Sequence, residues 1–349
     1  MTYSKFRSKT CISGILALAT LGLGFMTTGA VADTRLIVNC FWPPQHHMCS
    51  KLLPGWIEQV EAATEGRVQG IIPPKSVAPP PEQLASVEKG IVDVSVQFNG
   101  LIGNRVSGPL VAMTPFIGNF NAGNMSRALW QTNREYFPDE FDTVQLLSQW
   151  VISPGQLFSL TDTPVNSMED LSSRKIWALP GPLANITKEL GSGVVSTPAV
   201  KANEIISRGV VDASLGLDQE AIRAFQLLPY AKSMTRFSTA VYTTSFSMFI
   251  NQDTWAEISE ADQAAIMAVS GESFAETVGS AWDAANASAE KLFTESGISV
   301  VDADPAFEQA LIDASTFVGE GWIKKADSAG IDGQGAMDFY KSKLEELSE

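Results

Sequence analysis

Histidine, cysteine and basic residues are scarce in this chain of 349 residues. It has two His, three Cys, and 24 Lys plus Arg against 39 Asp plus Glu, which gives a formal net charge of −15. A chain without a basic surplus is poorly suited to nucleic-acid phosphates or to an anionic membrane surface. The 45% hydrophobic and 18% charged residues are typical of a packed globular protein and exclude disorder of the whole chain.

Several catalytic and nucleotide-binding motifs are also missing. The chain has no G-x-S-x-G, no Walker A loop, no G-x-G-x-x-G and no H-E-x-x-H. An exported hydrolase with His46 or His47 as its base stays open as an alternative, although no Gly-rich serine motif accompanies either histidine. We therefore expect a protein that is not an enzyme and that needs no cofactor.

The N-terminus has the three parts of a secretory signal. Residues 1–10 contain three basic residues and no acidic one, Ile12–Met26 is apolar, and Ala30–Ala32 forms an A-x-A cleavage site. The apolar run is shorter than the roughly 20 residues of a membrane span, so an uncleaved anchor is the weaker alternative. Removal of residues 1–32 leaves 21 basic and 39 acidic residues, a net charge of −18. We expect a periplasmic protein that is not embedded in the membrane.

Two cysteines remain after the signal peptide, nine positions apart. Cys40 and Cys49 enclose both histidines of the chain, in C-F-W-P-P-Q-H-H-M-C. An oxidising compartment favours a disulfide between them. A Cys2His2 metal site is the alternative, but this spacing matches no common zinc motif, and we expect no metal.

An internal repeat divides the chain. The segment that begins at Glu88 reads E-K-G-I-V-D-V-S-V, and the one that begins at Ser207, 119 residues later, reads S-R-G-V-V-D-A-S-L. In each, the glycine is suited to end a helix and the alternating residues predict a strand. Strands and helices alternate elsewhere, so we predict an α/β fold with two similar lobes. Two ordinary helix-to-strand turns would also explain the repeat.

A proline-free stretch from Ser259 to about Ser296 has apolar residues at helical spacing. A continuous helix of this length would be about 50 Å long, which exceeds one lobe and predicts that it lies across both. Gly271 and Gly279 interrupt the pattern, and a break into two helices is the alternative.

Aromatic residues lie at or near the ends of predicted strands. Ligands of open α/β sheets bind beyond the carboxyl ends of the strands, where aromatic side chains could line a pocket. These candidates, with the asparagine that follows Phe98, are Trp42, Asn99, Trp150, Trp177 and Phe246.

The order of several short motifs resembles the DctP-type substrate-binding proteins of tripartite ATP-independent periplasmic (TRAP) transporters. The resemblance covers nearly all of residues 35–300. The matching segments are Pro43–His46, Glu61–Val68 with its E-G-R-V end, the two G-x-x-D units Gly90–Asp93 and Gly209–Asp212, Thr114–Phe116, Thr163–Leu171, Arg174–Trp177 and Asn251–Trp255.

The resemblance implies a two-lobe periplasmic-binding-protein fold with hinge strands and a long helix across both lobes. Residues 33–154 and about 243–282 would form lobe 1, and residues 155–242 and about 283–349 would form lobe 2. Such a protein captures a small organic solute between the lobes and delivers it to the TRAP permease subunits in the membrane. We expect a monomer.

The chain departs from the family pattern where a carboxylate ligand would be held. Related proteins have an arginine at the position of Trp177, and the planar guanidinium binds carboxylates through two parallel hydrogen bonds. Tryptophan cannot do so, and Asp218 could balance a positive charge. The sequence therefore favours a cationic, zwitterionic or aromatic solute. A monocarboxylate held by other groups is the alternative.

Overall fold

A computed structural model describes residues 34–118 and 120–349. The predicted signal peptide, residues 1–32, lies outside the described residues. Among the described residues, no helix combines the length and apolar character needed to cross a membrane. The strands are β1 Thr34–Asn39, β2 Val68–Ile71, β3 Val94–Phe98, β4 Val144–Val151, β5 Gln156–Ser159, β6 Lys175–Ala178, β7 Gly193–Ser196, β8 Ala213–Leu217, β9 Ser233–Arg236, β10 Ser245–Asn251 and β11 Ser299–Asp302. The helices are α1 Leu53–Ala63, α2 Gln83–Glu88, α3 Ala122–Tyr136, α4 Met168–Ser172, α5 Pro182–Glu189, α6 Ala202–Ile206, α7 Gln219–Ala224, α8 Gln252–Glu257, α9 Glu260–Ala268, α10 Gly271–Glu295, α11 Pro305–Ser328 and α12 Gly333–Glu346.

The strands form two sheets with the same internal order. The first sheet runs β2-β1-β3-β10-β4, and the second, read from its far edge, runs β7-β6-β8-β5-β9 and adds β11. In each sheet, the first three strands are parallel, and the fourth is antiparallel to both of its neighbours. The predicted α/β fold with two similar lobes is confirmed.

The sequence repeat explains this likeness. Gly90 and Gly209 both have φ of +63°, the left-handed conformation that glycine adopts without strain, and each separates a helix from a strand. The aspartates three residues later accept equivalent hydrogen bonds: Asp93 from the amide of Ile37 at 2.7 Å, and Asp212 from the amide of Lys175 at 3.1 Å. Each aspartate therefore fastens its turn to the neighbouring parallel strand.

Two of the chain crossings between the sheets lie side by side. The chain leaves the first sheet after β4 and returns to it after β9. At the crossings, the amide of Gly155 donates to the carbonyl of Tyr242 at 2.8 Å, and the amide of Ile152 donates to that of Thr244 at 3.1 Å. These hydrogen bonds pair the two connections as a hinge.

The long helix is shorter than the continuous prediction. Helices α9 and α10 are separated at Val269 and Ser270, and Gly271 has φ of +53°. Tertiary hydrogen bonds hold this break: Trp56 donates to the Ser270 hydroxyl at 3.0 Å, and Ser148 donates to the Gly271 carbonyl at 2.7 Å. The continuous helix was thus wrong and its two-helix alternative correct.

Helix α10 nevertheless touches both lobes. Its 25 residues span about 37 Å at 1.5 Å per residue. Asp283 accepts hydrogen bonds from the Ala122 amide at 2.8 Å and from Ser153 of the hinge at 2.9 Å. One turn later, Asn286 accepts from the amide of Glu220 in the second lobe at 3.0 Å. The prediction of a long helix across both lobes is confirmed.

The C-terminal helix packs with the first lobe. Met337, Tyr340 and Leu344 of α12 are buried in one cluster with Met125 and Leu129 of α3. The lobe boundaries stay a prediction. Residues on the face of α12 bury apolar area against α3, and the sequence alone could not show which lobe supplies that partner.

Candidate functional site

A largely apolar cavity lies between the lobes, at the carboxyl ends of β1, β3 and β8. It encloses about 590 Å³ of empty space, including its solvent-facing mouth. The first lobe, the hinge, the second lobe and α10 all contribute to its wall. The lining residues are Phe41, Trp42, His46, Pro80, Phe98, Leu101, Ile152, Leu179, Pro198, Ala199, Val200, Gly216, Leu217, Asp218, Glu220, Ala221, Phe225, Thr244, Phe246 and Trp282.

Aromatic rings form the larger part of the first-lobe wall. Phe246 lies at their centre, with ring centroids 5.3 Å from Trp42, 5.7 Å from Phe98 and 6.4 Å from Trp282. Phe41 stacks on Trp42 at 3.9 Å. Such separations are those of favourable aromatic pairs, so the rings support one another around the cavity.

The loop that carries Phe41, Trp42 and His46 is closed by a covalent bond. Cys40 and Cys49 form a disulfide, with their Cα atoms 5.7 Å apart. The bond occupies both sulfur atoms and therefore excludes the Cys2His2 alternative. It fixes both ends of the loop that supplies one wall of the cavity.

Asp218 and Glu220 place two carboxyl groups in the part of the cavity wall that the second lobe supplies. Asp218 is 1% exposed and begins α7, where its Oδ1 atom accepts a hydrogen bond from the Ala221 amide at 2.7 Å. Its Oδ2 atom is buried and has no hydrogen-bond partner among the described residues. Burial raises the pKa of Asp218 well above its usual value, and the nearby charge of Glu220 raises it further.

Glu220 is held as a carboxylate by its neighbours. Arg223 donates to its Oε1 atom at 2.9 Å, His47 Nδ1 is 3.4 Å from the same oxygen, and His46 Nε2 is 3.5 Å from Oε2. Burial alone would raise the pKa of Glu220, but the imidazoles of His46 and His47 outweigh it and hold the pKa well below its usual value. Glu220 is therefore ionised, and its charge is balanced locally.

The protonation of His46 follows from its hydrogen bonds. The Met48 amide donates to its Nδ1 atom at 3.1 Å, so in the neutral ring Nε2 carries the hydrogen and points it towards Glu220. Burial lowers the pKa of His46 in spite of the Glu220 charge, which favours this neutral ring. His46, His47 and Glu220 have potential ligand atoms within 4.8 Å of one another. A metal-binding histidine donates its second N–H, whereas this one accepts, so the cluster does not fit a metal centre.

The structure brings three of the six predicted ligand contacts to the cavity. Trp42, Asp218 and Phe246 line it. The other three, Asn99, Trp150 and Trp177, are fully buried and do not.

Each of these three has a structural environment of its own. Asn99 donates to Ser245 at 3.2 Å and accepts from Ser247 at 2.9 Å. Trp150 packs behind Phe246, with ring centroids 6.2 Å apart. Trp177 donates from its indole to Thr197 at 2.9 Å, so its side chain does not take the place of a ligand-binding arginine on the wall.

The repeat offset could have identified several lining residues that the sequence reasoning missed. Adding 119 to Pro80, Phe98 and Leu101 gives Ala199, Leu217 and Glu220, and all six residues line the cavity. Trp282 and Phe225 carry no such signal, because α10 and α7 bring them to the wall from outside the repeated unit. His46 was weighed as a catalytic base and as a metal ligand, but not as a residue of the cavity wall.

Comparisons with known proteins agree with the fold and the cavity. A family model described as bacterial extracellular solute-binding protein, family 7 (DctP) matches residues 38–324. The chain is 33% identical over 340 residues, 97% of its length and 98% of the relative's, to a Comamonas testosteroni protein called outer membrane transporter protein TsaT.

Solved structures of TRAP solute-binding proteins superpose over most of the chain. One from Bordetella bronchiseptica with bound (R)- and (S)-mandelate has a TM-score of 0.85 and 30% identity, and covers 90% of this chain and 99% of its own. One from Rhodoferax ferrireducens with copurified benzoate has a TM-score of 0.82 and 20% identity, and covers 90% of this chain and 98% of its own.

The matched region exceeds half of the chain and includes both sheets, the hinge and α10. The family and its solved members are transporter receptors and not enzymes, which sets aside the hydrolase alternative. The chain belongs to the DctP family of bacterial extracellular solute-binding proteins and is a periplasmic solute-binding component of the TRAP type.

Proposed function

We propose that this receptor binds a small aromatic monocarboxylate in the interlobe cavity and delivers it to a TRAP permease. The observation that carries the proposal is the composition of the wall. Rings from both lobes and from α10 line the space, and only four of the lining residues, His46, Asp218, Glu220 and Thr244, have polar side chains. A solute with an aromatic ring and one polar group matches this composition.

The apolar character and rigidity of the cavity wall suit an aromatic ring. Phe246 and Trp42 are 5% and 7% exposed, so they need little reordering to receive a flat solute. The mandelate-binding relative from Bordetella bronchiseptica, at 30% identity, supports an aromatic acid as the solute class.

The charge distribution argues against the cationic solute that the sequence favoured. A cation would need a free carboxylate close to the rings. Glu220 is already engaged by Arg223 and the two histidines, and burial favours the neutral acid of Asp218. Among the described residues, no lysine or arginine lines the cavity, so a dicarboxylate would leave two negative charges without a basic partner.

The test is isothermal titration calorimetry of the mature protein with four probes: mandelate, benzoate, benzyltrimethylammonium and succinate. We expect saturable binding of the aromatic acids and at least about tenfold weaker binding of the other two probes, a difference of about 1.4 kcal/mol. Binding should also change the tryptophan fluorescence, since Trp42 and Trp282 line the cavity. Preferred binding of the ammonium probe or of succinate would refute the proposal.

A matched pair of variants in one strand tests the role of the rings. Phe246→Leu removes a ring from the wall and should weaken mandelate binding by about tenfold, the upper part of the range for one aromatic contact. Phe249→Leu is the control, since Phe249 is fully buried in β10 and packs with Phe141 in a different cluster. Equal losses of affinity in the two variants would show that the effect reflects damage to the strand.

A further inference from the structure

We propose that Asp218 is a specificity-determining residue that keeps its proton on Oδ2 and donates it as a hydrogen bond to the carboxylate of the bound solute. This inference rests on the proposed function, because it names the group that receives the polar end of an aromatic acid. No covalent bond changes: the proton stays on Asp218 and is shared with the solute oxygen. A carboxylic acid would thus do what an arginine usually does.

The two oxygens of Asp218 have different tasks. Oδ1 accepts from the Ala221 amide as the N-cap of α7 at 2.7 Å and is therefore the oxygen that remains unprotonated. Asp218 lines the cavity, and its Oδ2 atom is buried and has no partner among residues 34–118 and 120–349. An unsatisfied buried oxygen destabilises the protein, and a solute oxygen at hydrogen-bond distance would remove that cost.

The repeat supplies an internal comparison. Asn99 and Asp218 are 119 positions apart and follow equivalent strands, β3 and β8. Both polar atoms of the Asn99 amide are engaged, by Ser245 and Ser247. Of the two, only Asp218 has an atom left for a ligand. Asn99 therefore has a structural role, whereas Asp218 can take part in recognition.

The charges around Asp218 favour its neutral acid form. Glu220 on α7 is ionised, Asp283 on α10 adds a second acidic group, and His46 from the loop after β1 is neutral. An ionised Asp218 would therefore lie buried beside another carboxylate with no cation of its own. Arg223 is committed to Glu220 at 2.9 Å. The raised pKa of Asp218, caused first by burial, agrees with this geometry.

Two substitutions of Asp218 distinguish its role as a hydrogen-bond donor from its role as the N-cap of α7. Asp218→Asn keeps an oxygen for the cap and places an N–H donor in the position of Oδ2. Asp218→Ser also keeps a capping oxygen but has no second polar atom. We expect Asp218→Ser to weaken mandelate binding at least about tenfold more than Asp218→Asn does, as loss of a hydrogen bond to a charged group predicts. Asp332→Ser changes the exposed N-cap of α12, outside the cavity, and should leave the affinity unchanged.

Infrared difference spectroscopy of the wild type against Asp218→Asn reports the proton directly. At neutral pH, we expect the carbonyl stretch of a protonated carboxylic acid in the wild type only, and a shift of this band when mandelate is added. Absence of the band, or equal losses of affinity in the two Asp218 variants, would overturn the inference. If the wild type bound no aromatic acid at all, the proposed function would fail instead, whatever the infrared band showed about the proton.

Discussion

Removal of the Cys40–Cys49 disulfide should lower both the stability and the solute affinity. The bond closes a loop of about ten residues, for which the chain-entropy relation gives about 2.7 kcal/mol at 25 °C. The double variant Cys40→Ser/Cys49→Ser should therefore unfold at a lower urea concentration, with a free energy of unfolding reduced by about that amount. Because Phe41, Trp42 and His46 lie within the loop, part of the ordering cost should pass to the solute and weaken its binding.

Urea titrations followed by tryptophan fluorescence measure the first effect, and calorimetry with mandelate measures the second. The double variant also provides the control, since a reducing agent should destabilise the wild type and leave the variant unchanged. A loss of less than about 0.5 kcal/mol, well below the 2–4 kcal/mol typical of a disulfide, would refute the loop-closure reasoning. If the free energy of unfolding fell by the predicted amount while the affinity stayed unchanged, the loop would retain its shape without the bond.

Two further predictions concern Gly155 in the hinge and Trp177, which lies away from the cavity. Gly155→Ala should destabilise the protein by about 1–3 kcal/mol, because its Cβ would lie 2.5 Å from the Gly216 carbonyl oxygen, a backbone atom that cannot rotate away. Gly55→Ala in α1 is its control, since nothing lies within 4 Å of the new Cβ, and urea unfolding should show a gain of about 0.5–1 kcal/mol. Trp177→Phe should lower the free energy of unfolding by about 1 kcal/mol through the lost hydrogen bond to Thr197, and should leave mandelate affinity unchanged. Trp42→Phe, in the cavity wall, should weaken mandelate binding. An affinity loss confined to Trp177→Phe would contradict the placement of Trp177 away from the cavity.

The sequence was most informative where a local pattern controls a local structure. The glycine and aspartate of each G-x-x-D unit require a left-handed turn and a tie to the next strand, and both copies have them. Because the same unit occurs twice, the offset of 119 residues predicts two lobes and aligns residues across the cleft. The apolar spacing after Ser259 predicts the long helix, and the family motifs add the hinge, which no periodicity could establish.

Positions that depend on distant partners were beyond sequence reasoning. Trp177 looked like a cleft residue because it occupies the place of an arginine, but its neighbours Ser214 and Val195 in the sheet and the Thr197 hydroxyl determine where its indole lies. The helix break at Ser270 depends on Trp56 and Ser148, each more than 100 residues away in sequence. The pairing of Glu220 with His46 depends on two lobes meeting, and neither segment carries a motif for it.

The two lobes contribute different residues to one recognition site, and this difference affects which solutes stabilise the closed arrangement of the lobes. Phe41, Trp42, Phe98 and Phe246 come from the first lobe, whereas Asp218 and Glu220 come from the second. A solute with a ring alone would contact apolar residues of both lobes, Phe225 and Leu217 of the second included, but would leave Oδ2 of Asp218 without a partner. A ligand that also carries a carboxylate stabilises the closed arrangement further, because a population shift needs differential affinity for the two states. The distance between the aromatic wall and Asp218 would therefore determine which aromatic acid binds. A solute lengthened by one methylene should lose more affinity than one with a changed ring substituent at the open mouth of the cavity.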